Sequence, residues 1–175
     1  PGYGKEKIIF FVDLNNENPQ KQGPGPAQNS TLEMLKNCVA VIAHTKSRAC
    51  DAHEFALCVL LECAVLYTDF TSDVNRLLDD VYGLSGAEKY SAFDMTSVFT
   101  IIDEKIKEDT ACRPDKDVMR AILMYSRCTV LPSFQDQRAW TRCTAHPAFF
   151  LDVLFVVAPP PPAAALIAPA AAADD

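Results

Sequence analysis

The sequence predicts an α/β fold, a mostly parallel sheet with one antiparallel edge strand and helices on both faces. Three observations carry this. Ile8, Ile9, Phe10, Phe11 and Val12 form an apolar run with no polar side, as in a strand covered by helices on both faces. Further apolar runs alternate with stretches of helical periodicity, the pattern of an α/β sheet. Residues 55–61 and 63–67 are two apolar runs split by Glu62 alone. That interval is too short for a crossover helix, so the pair forms a tight antiparallel hairpin or one bent strand.

The first strand ends in Asp13, followed by Leu14, Asn15, Asn16 and Glu17. Open α/β sheets place ligands beyond the carboxyl ends of their strands, which makes Asp13, Asn15 and Glu17 the first place to look for chemistry. In residues 18–29, Pro19, Gly23, Pro24, Gly25 and Pro26 exclude regular structure, and the segment reads as a surface loop. Ser30 with Glu33 fits a capping box. Leu32, Leu35, Val39 and Ile42 then recur at helical spacing, with His44 expected near the end of that helix, where a cation suits the dipole.

After the hairpin, Thr71, Ser72 and Asp73 offer caps for a helix that buries Val74, Leu77, Leu78 and Val81 and stops at Gly83 and Gly86. Asp94 caps a third helix with Val98, Phe99, Ile102 and Ile106 inward and Asp103, Glu104, Lys105, Lys107 and Glu108 outward. Residues 118–125 read as a strand interrupted by Arg120, 133–142 as a short helix, and 149–157 as the last strand. Asp152, the single charge in that strand, reads as an edge or paired position rather than a catalytic one. The expected division is one domain over 1–158 and a Pro/Ala-rich low-complexity tail over 159–175.

The formal charge of −7, with no basic run, argues against binding driven by phosphate neutralisation. The seven cysteines are odd in number and form no Cys-x-x-Cys, which suits a reduced set of small core residues better than a disulfide framework. No stretch is long and apolar enough to span a membrane, and the amino terminus shows no signal-peptide pattern. Glycine-rich phosphate loops are absent, so nucleotide binding has no support.

Three constellations could carry chemistry. Asp13-x-Asn15-x-Glu17 resembles the Asp-x-Ser-x-Ser loop that holds a hard divalent cation in von Willebrand factor A domains; Mg²⁺ wants such oxygen ligands. Ser91 could supply the third position. The fourth should be an acid just after the strand 118–125, but that exit reads Ser126-Arg127-Cys128, and an inward Arg127 would oppose a cation. The site therefore reads as a degenerate remnant, and no cofactor is expected. Cys58 and Cys63, expected close across the hairpin, lack with His53 the converging ligands a zinc site needs. Cys143 with His146 could mimic a thiol–imidazole pair but lacks an orienting group.

Four segments carry a more specific resemblance: EKIIFFVDLNNE at 6–17, HEFALCVLLECAVLYTDFTSD at 53–73, MRAILMYSRC at 119–128 and HPAFFLDVLFV at 146–156. The chain resembles the von Willebrand A-type subunits of the BRISC and BRCA-one A deubiquitinase assemblies. The resemblance implies a Rossmann-like A-type fold and a non-catalytic scaffold. In such assemblies a separate zinc metalloprotease subunit cleaves lysine-sixty-three-linked ubiquitin chains. This chain would bind the subunit built from ubiquitin-conjugating-enzyme-variant domains, in the nucleus for DNA-damage signalling and in the cytoplasm for immune-receptor signalling. The alternative is a metal-dependent ligand-binding A domain. No direct nucleic-acid or membrane partner is expected. Aromatic and arginine side chains often anchor interfaces, which makes Arg127, Phe134, Arg138, Trp140 and Arg142 the candidate partner-binding residues; Phe134 and Trp140 are equally expected to pack the last helix onto the sheet.

Overall fold

The computed structural model describes residues 4–15, 31–86, 89–112 and 117–156, the backbone alone for 109–112. The elements are β1 (Glu6–Asp13), α1 (Thr31–Ala49), β2 (Glu54–Leu60), β3 (Ala64–Thr71), α2 (Val74–Gly83), α3 (Met95–Cys112), β4 (Val118–Tyr125), α4 (Arg138–Ala145) and β5 (Phe149–Phe155). They build a five-stranded sheet in the order β3-β2-β1-β4-β5. β1 pairs in parallel with β2 and β4, β4 in parallel with β5, and the edge strand β3 antiparallel to β2.

The central place of β1 explains its composition. Successive strand side chains point to opposite faces, and both faces here are covered. Ile9 and Phe11 pack with Val98, Phe99 and Ile102 of α3 and Cys143 of α4. Ile8, Phe10 and Val12 pack with Leu35 and Val39 of α1 and Leu77 and Val81 of α2. Each such large side chain contributes about 1.5–3 kcal/mol by leaving water, so a polar residue anywhere in the run would spoil one layer or the other.

The helix starts follow local chemistry. Asp73 caps α2 by accepting from the amides of Asn75 and Arg76. Asp94 accepts from the Thr96 amide at 2.9 Å. Ser97 Oγ donates to the Asp94 carbonyl and accepts from the Ala64 amide, which ties the start of α3 to the hairpin. The capping role of Ser30, the break at 18–29 and the tail from Pro159 fall outside the described residues.

Several sequence expectations are corrected. α1 runs on to Ala49, which leaves His44 inside the helix; the Cys50 amide bonds the Lys46 carbonyl, and Lys46 reaches Glu6 of β1 at 2.8 Å, so the last turns have tertiary support. α4 spans Arg138–Ala145, not 133–142. Ser133 is held extended between Phe93 and Met95, and Thr96 Oγ1 accepts from the amides of Gln135 and Asp136. These tertiary bonds claim the groups a helix would use. Among the described cysteines, Cys58 and Cys143 are buried and Cys38 packs half-buried against the α1–α2 layer, whereas Cys50 is half-buried and Cys63 and Cys128 are exposed, so core packing does not account for all of them. Cys58 lies opposite Leu66 in the hairpin ladder, not opposite Cys63. Asp152, by contrast, is where the sequence placed it, on the edge strand β5 and paired with Arg120 at 2.6 Å, while Arg120 also reaches Glu6 at 3.1 Å.

Behind this amino-terminal end, buried His53 accepts the Glu6 amide on Nδ1 at 2.9 Å. Nδ1 must be unprotonated to do so, leaving a neutral ring. Burial pushes the imidazole below its ordinary pKa; the Glu6 carboxylate opposes this and Lys46 adds to it. Because the folded value lies below the unfolded one, the unfolded chain takes up the proton first. Stability is complete above about pH 6.5, the ordinary histidine value, and falls as pH drops through it. The urea midpoint of the wild-type chain will therefore fall between pH 7.5 and pH 5.5 by more than that of His53→Asn. Equal falls would place the linked proton elsewhere.

Candidate functional site

The carboxyl ends of β1, β2 and β4 lie side by side, because these strands are sheet neighbours. The polypeptide leaving β4 therefore passes directly beside Asp13, the last residue of β1. The exit loop is closed by Tyr125, whose hydroxyl donates to the Val130 carbonyl at 2.6 Å. Ser126 and Arg127 are thereby turned inward.

Asp13 and Arg127 are each 2% exposed. Arg127 Nε lies 3.0 Å from Asp13 Oδ1 and 3.3 Å from Oδ2. The same carboxylate accepts the Asn15 amide on Oδ1 at 3.0 Å, and the amide and hydroxyl of Ser126 on Oδ2 at 3.0 and 3.2 Å. The rest of the guanidinium is also engaged. Its terminal nitrogens donate to the carbonyls of Leu60 at 3.1 Å, Leu61 at 2.5 Å and Ala92 at 3.2 Å. The rings of Phe93, Tyr125 and Tyr90 stand 5.0, 5.7 and 5.8 Å from its central carbon, within the range at which an aromatic face attracts a cation. One side chain thus staples the ends of β1 and β2, the hairpin turn and the segment before α3.

A divalent cation does not fit this arrangement. Both Asp13 oxygens already accept N–H or O–H donors. Asn15 Oδ1 accepts the Tyr90 amide at 2.6 Å. Ser91 is exposed, and Glu17 lies outside the described residues. An ion at Asp13 would also face the guanidinium: two like unit charges at about 4 Å repel by about 4 kcal/mol at an effective dielectric of about 20, and Mg²⁺ doubles that. No group of three or more metal-type side chains converges among the described residues.

The other constellations resolve into packing. Cys143 is buried, its thiol donates weakly to the Phe99 carbonyl at 3.6 Å, and burial pushes its pKa up to about 11. A nucleophilic thiol needs the opposite shift. His146 uses Nδ1 to accept the Ala148 amide at 3.3 Å. Burial likewise pushes the Cys58 thiol up to about 12.

The five candidate partner residues divide. Arg127 has no exposed surface to offer, because the buried acid at the end of β1 draws it in; its expected place on an outer face is corrected. The other four lie around α4. Phe134 and Trp140 remain 45% and 37% exposed. They pack against Phe99 of α3, with ring centroids 5.9 and 4.7 Å away, so Trp140 joins α4 to α3 and Phe134 joins the extended segment before α4 to α3, rather than packing α4 onto the sheet. Arg142 pairs with Asp103 at 2.7 Å, holding its carboxyl below the usual range with help from Lys107. Arg138 is exposed and pairs with Asp136 at 2.9 Å. Sequence reasoning placed Arg127 next to the site but could not see the carbonyls of Leu60, Leu61 and Ala92, since backbone acceptors leave no trace in residue type.

No family model matches the chain. Curated relatives do. It is 28% identical over 157 residues to the proteins named BRISC and BRCA1-A complex member 1 from Homo sapiens and Rattus norvegicus, covering 86% of this chain and 47% of each relative. The Danio rerio protein of that name is 29% identical over the same length, with 42% of it covered. The chain is similar to BRISC and BRCA1-A complex member 1 over most of its own length. It spans about half the length of these relatives. Among solved structures, BatB from Bacteroides thetaiotaomicron matches with a TM-score of 0.52 at 16% identity, over 86% of this chain and 65% of that one. A von Willebrand factor type A protein from Catenulispora acidiphila matches with a TM-score of 0.51 at 12% identity, over 87% and 33%. The fold is of the von Willebrand A type.

Proposed function

We propose that this chain is a non-catalytic scaffold subunit of a lysine-sixty-three-specific deubiquitinase assembly. It holds the subunit built from ubiquitin-conjugating-enzyme-variant domains, and through it the zinc metalloprotease and its inactive companion, in nucleus and cytoplasm. The observation that carries this reading is the Asp13–Arg127 pair. At the end of the sheet where A-type domains bind a cation, the charge is supplied by the chain's own guanidinium, and among the described residues no acid–base or nucleophilic pair stands beside it. A domain so closed at its ligand-binding end keeps its outer faces for protein contacts. The names of its relatives point to the same kind of assembly.

The test is co-expression of the chain with the ubiquitin-variant subunit, purified through either member. The pair is expected to co-purify equally with and without chelator, and titration of the free chain with Mg²⁺ or Mn²⁺ to give no binding heat. A complex that dissolves in chelator, or a metal heat abolished by Asp13→Asn, would instead establish the metal-dependent ligand-binding domain.

A further inference from the structure

The sheet has two edges, and they differ. β3 is the last strand on its side. Its first amide, that of Ala64, is taken by Ser97 Oγ at 2.7 Å; the outer side of the strand beyond it pairs with no strand among the described residues. Here three successive residues are apolar and exposed: Val65 at 43%, Leu66, and Tyr67 at 54%. Val65 lies opposite Val59 and Leu66 opposite Cys58. Val59 belongs to the α1–α2 layer and Cys58 to the α3 layer, so the two side chains show apolar surface on both sides of the edge. Tyr67 sits at a register shift in the ladder, and Tyr82 of α2 is exposed as well. Natural proteins usually blunt such an edge with lysine, proline or a covering element.

The charge around this edge is predominantly acidic, although Lys7 stands over the Phe70 ring at 5.0 Å. Residues 62–83 hold Glu62, Asp69, Asp73, Asp79 and Asp80 against Arg76 alone, a net of −4 within a chain total of −7. Lys105 reaches Asp69 at 3.1 Å but is shared with Glu108 at 2.9 Å. The edge strand β5 also exposes apolar residues, Phe150, Val153 and Phe155. Its charges, however, are balanced by the Arg120–Asp152 pair, and it has no such field.

We infer that the β3 edge docks an extended, apolar segment of a partner protein flanked by basic residues, which adds a strand beside 65–69. Main-chain bonds would supply the affinity, alternate side chains would cover Val65 and Tyr67, and the acidic rim would select the basic flanks. This deepens the scaffold reading and rests on it for the existence of a protein partner.

The probe is a fluorescein-labelled peptide, Lys-Lys-Val-Thr-Val-Thr-Val-Lys-Lys, compared with its counterpart carrying Glu for Lys, against the full chain at low and high salt. The Lys peptide is expected to bind about tenfold tighter or better at low salt, with the advantage shrinking as salt screens the rim. It should protect amides of 65–69 from hydrogen exchange. Val65→Lys/Tyr67→Lys, both at exposed positions, should abolish this binding, and Phe150→Lys/Val153→Lys on β5 should leave it unchanged. Equal binding of the two peptides, protection on β5 in place of β3, or self-association through β3 that excludes the peptide would overturn the proposal. If the ubiquitin-variant subunit co-purifies while the Lys peptide ignores β3, this proposal alone fails. If the peptide binds β3 but that subunit does not co-purify, the edge stands and the partner named above is wrong.

Discussion

Replacing Asp13 with alanine lowers the unfolding free energy by about 3–5 kcal/mol, the usual cost of breaking a buried ion pair by removing one member. Arg127 would keep its bonds to the Leu60, Leu61 and Ala92 carbonyls, so its charge could not leave and would remain buried without a counter-ion. Arg127→Met makes the complementary error. It leaves a carboxylate held only by the Ser126 groups and the Asn15 amide, against aromatic rings arranged for a cation. The double variant Asp13→Ala/Arg127→Met removes both charges, and its loss is expected to be clearly smaller than the sum of the two single losses. Urea unfolding of the four proteins closes the cycle. Single losses under about 1 kcal/mol, the range of exposed pairs, would show that the pair is wet and that the staple does not hold this end of the sheet. Since total stability is typically about 5–15 kcal/mol, Asp13→Ala also confounds folding with any binding measurement. Chelation is therefore the cleaner test of metal dependence.

Phe99→Ala is the second large effect, a loss of about 3–5 kcal/mol as expected for an aromatic side chain removed from a packed core. Phe99 faces the sheet-side layer with Ile9, Phe11 and Ile102. It also meets Phe134 and Trp140 outside that layer, and its carbonyl receives the Cys143 thiol. Its removal empties a core position and takes away the ring on which Trp140 packs, while the Cys143 thiol keeps its carbonyl and Arg142 its bond to Asp103. Trp140→Ala should cost less, because its ring is partly in water. The two substitutions should couple by about 0.5–1.5 kcal/mol, the value of an edge-to-face aromatic contact beyond area burial. Thermal unfolding of the single and double variants, together with tryptophan fluorescence of Phe99→Ala, would check both statements. Additive losses would mean that Trp140 is anchored elsewhere, by Phe134 or the Arg142–Asp103 pair.

How much of this was legible in the sequence depended on how local the cause was. The unbroken apolar run at 8–12 could be satisfied only by a strand with a layer on each side. Glu62 alone between two apolar runs left no room for a crossover, so β2 and β3 had to turn back on each other. Asp73 and Asp94 mark helix starts through bonds to amides two or three residues on, which spacing alone can anticipate. The segment 133–137 was not legible: residues that read as a helix are held extended by Phe93, Met95 and Thr96, some forty positions away.

The central site shows the same boundary. By itself the sequence determined that an acid ends the first strand, that the partner acid of a cation site is missing, and that an arginine stands where the fourth strand exits. Only the tertiary structure decided which way that arginine points. Residues 114 positions apart meet because β1 and β4 are neighbours in the sheet. A guanidinium loses its hydration there only because a carboxylate, three carbonyls and three aromatic rings converge on it. That convergence is long-range and mostly made by backbone atoms and ring faces, whose positions are set by the packing of the whole domain.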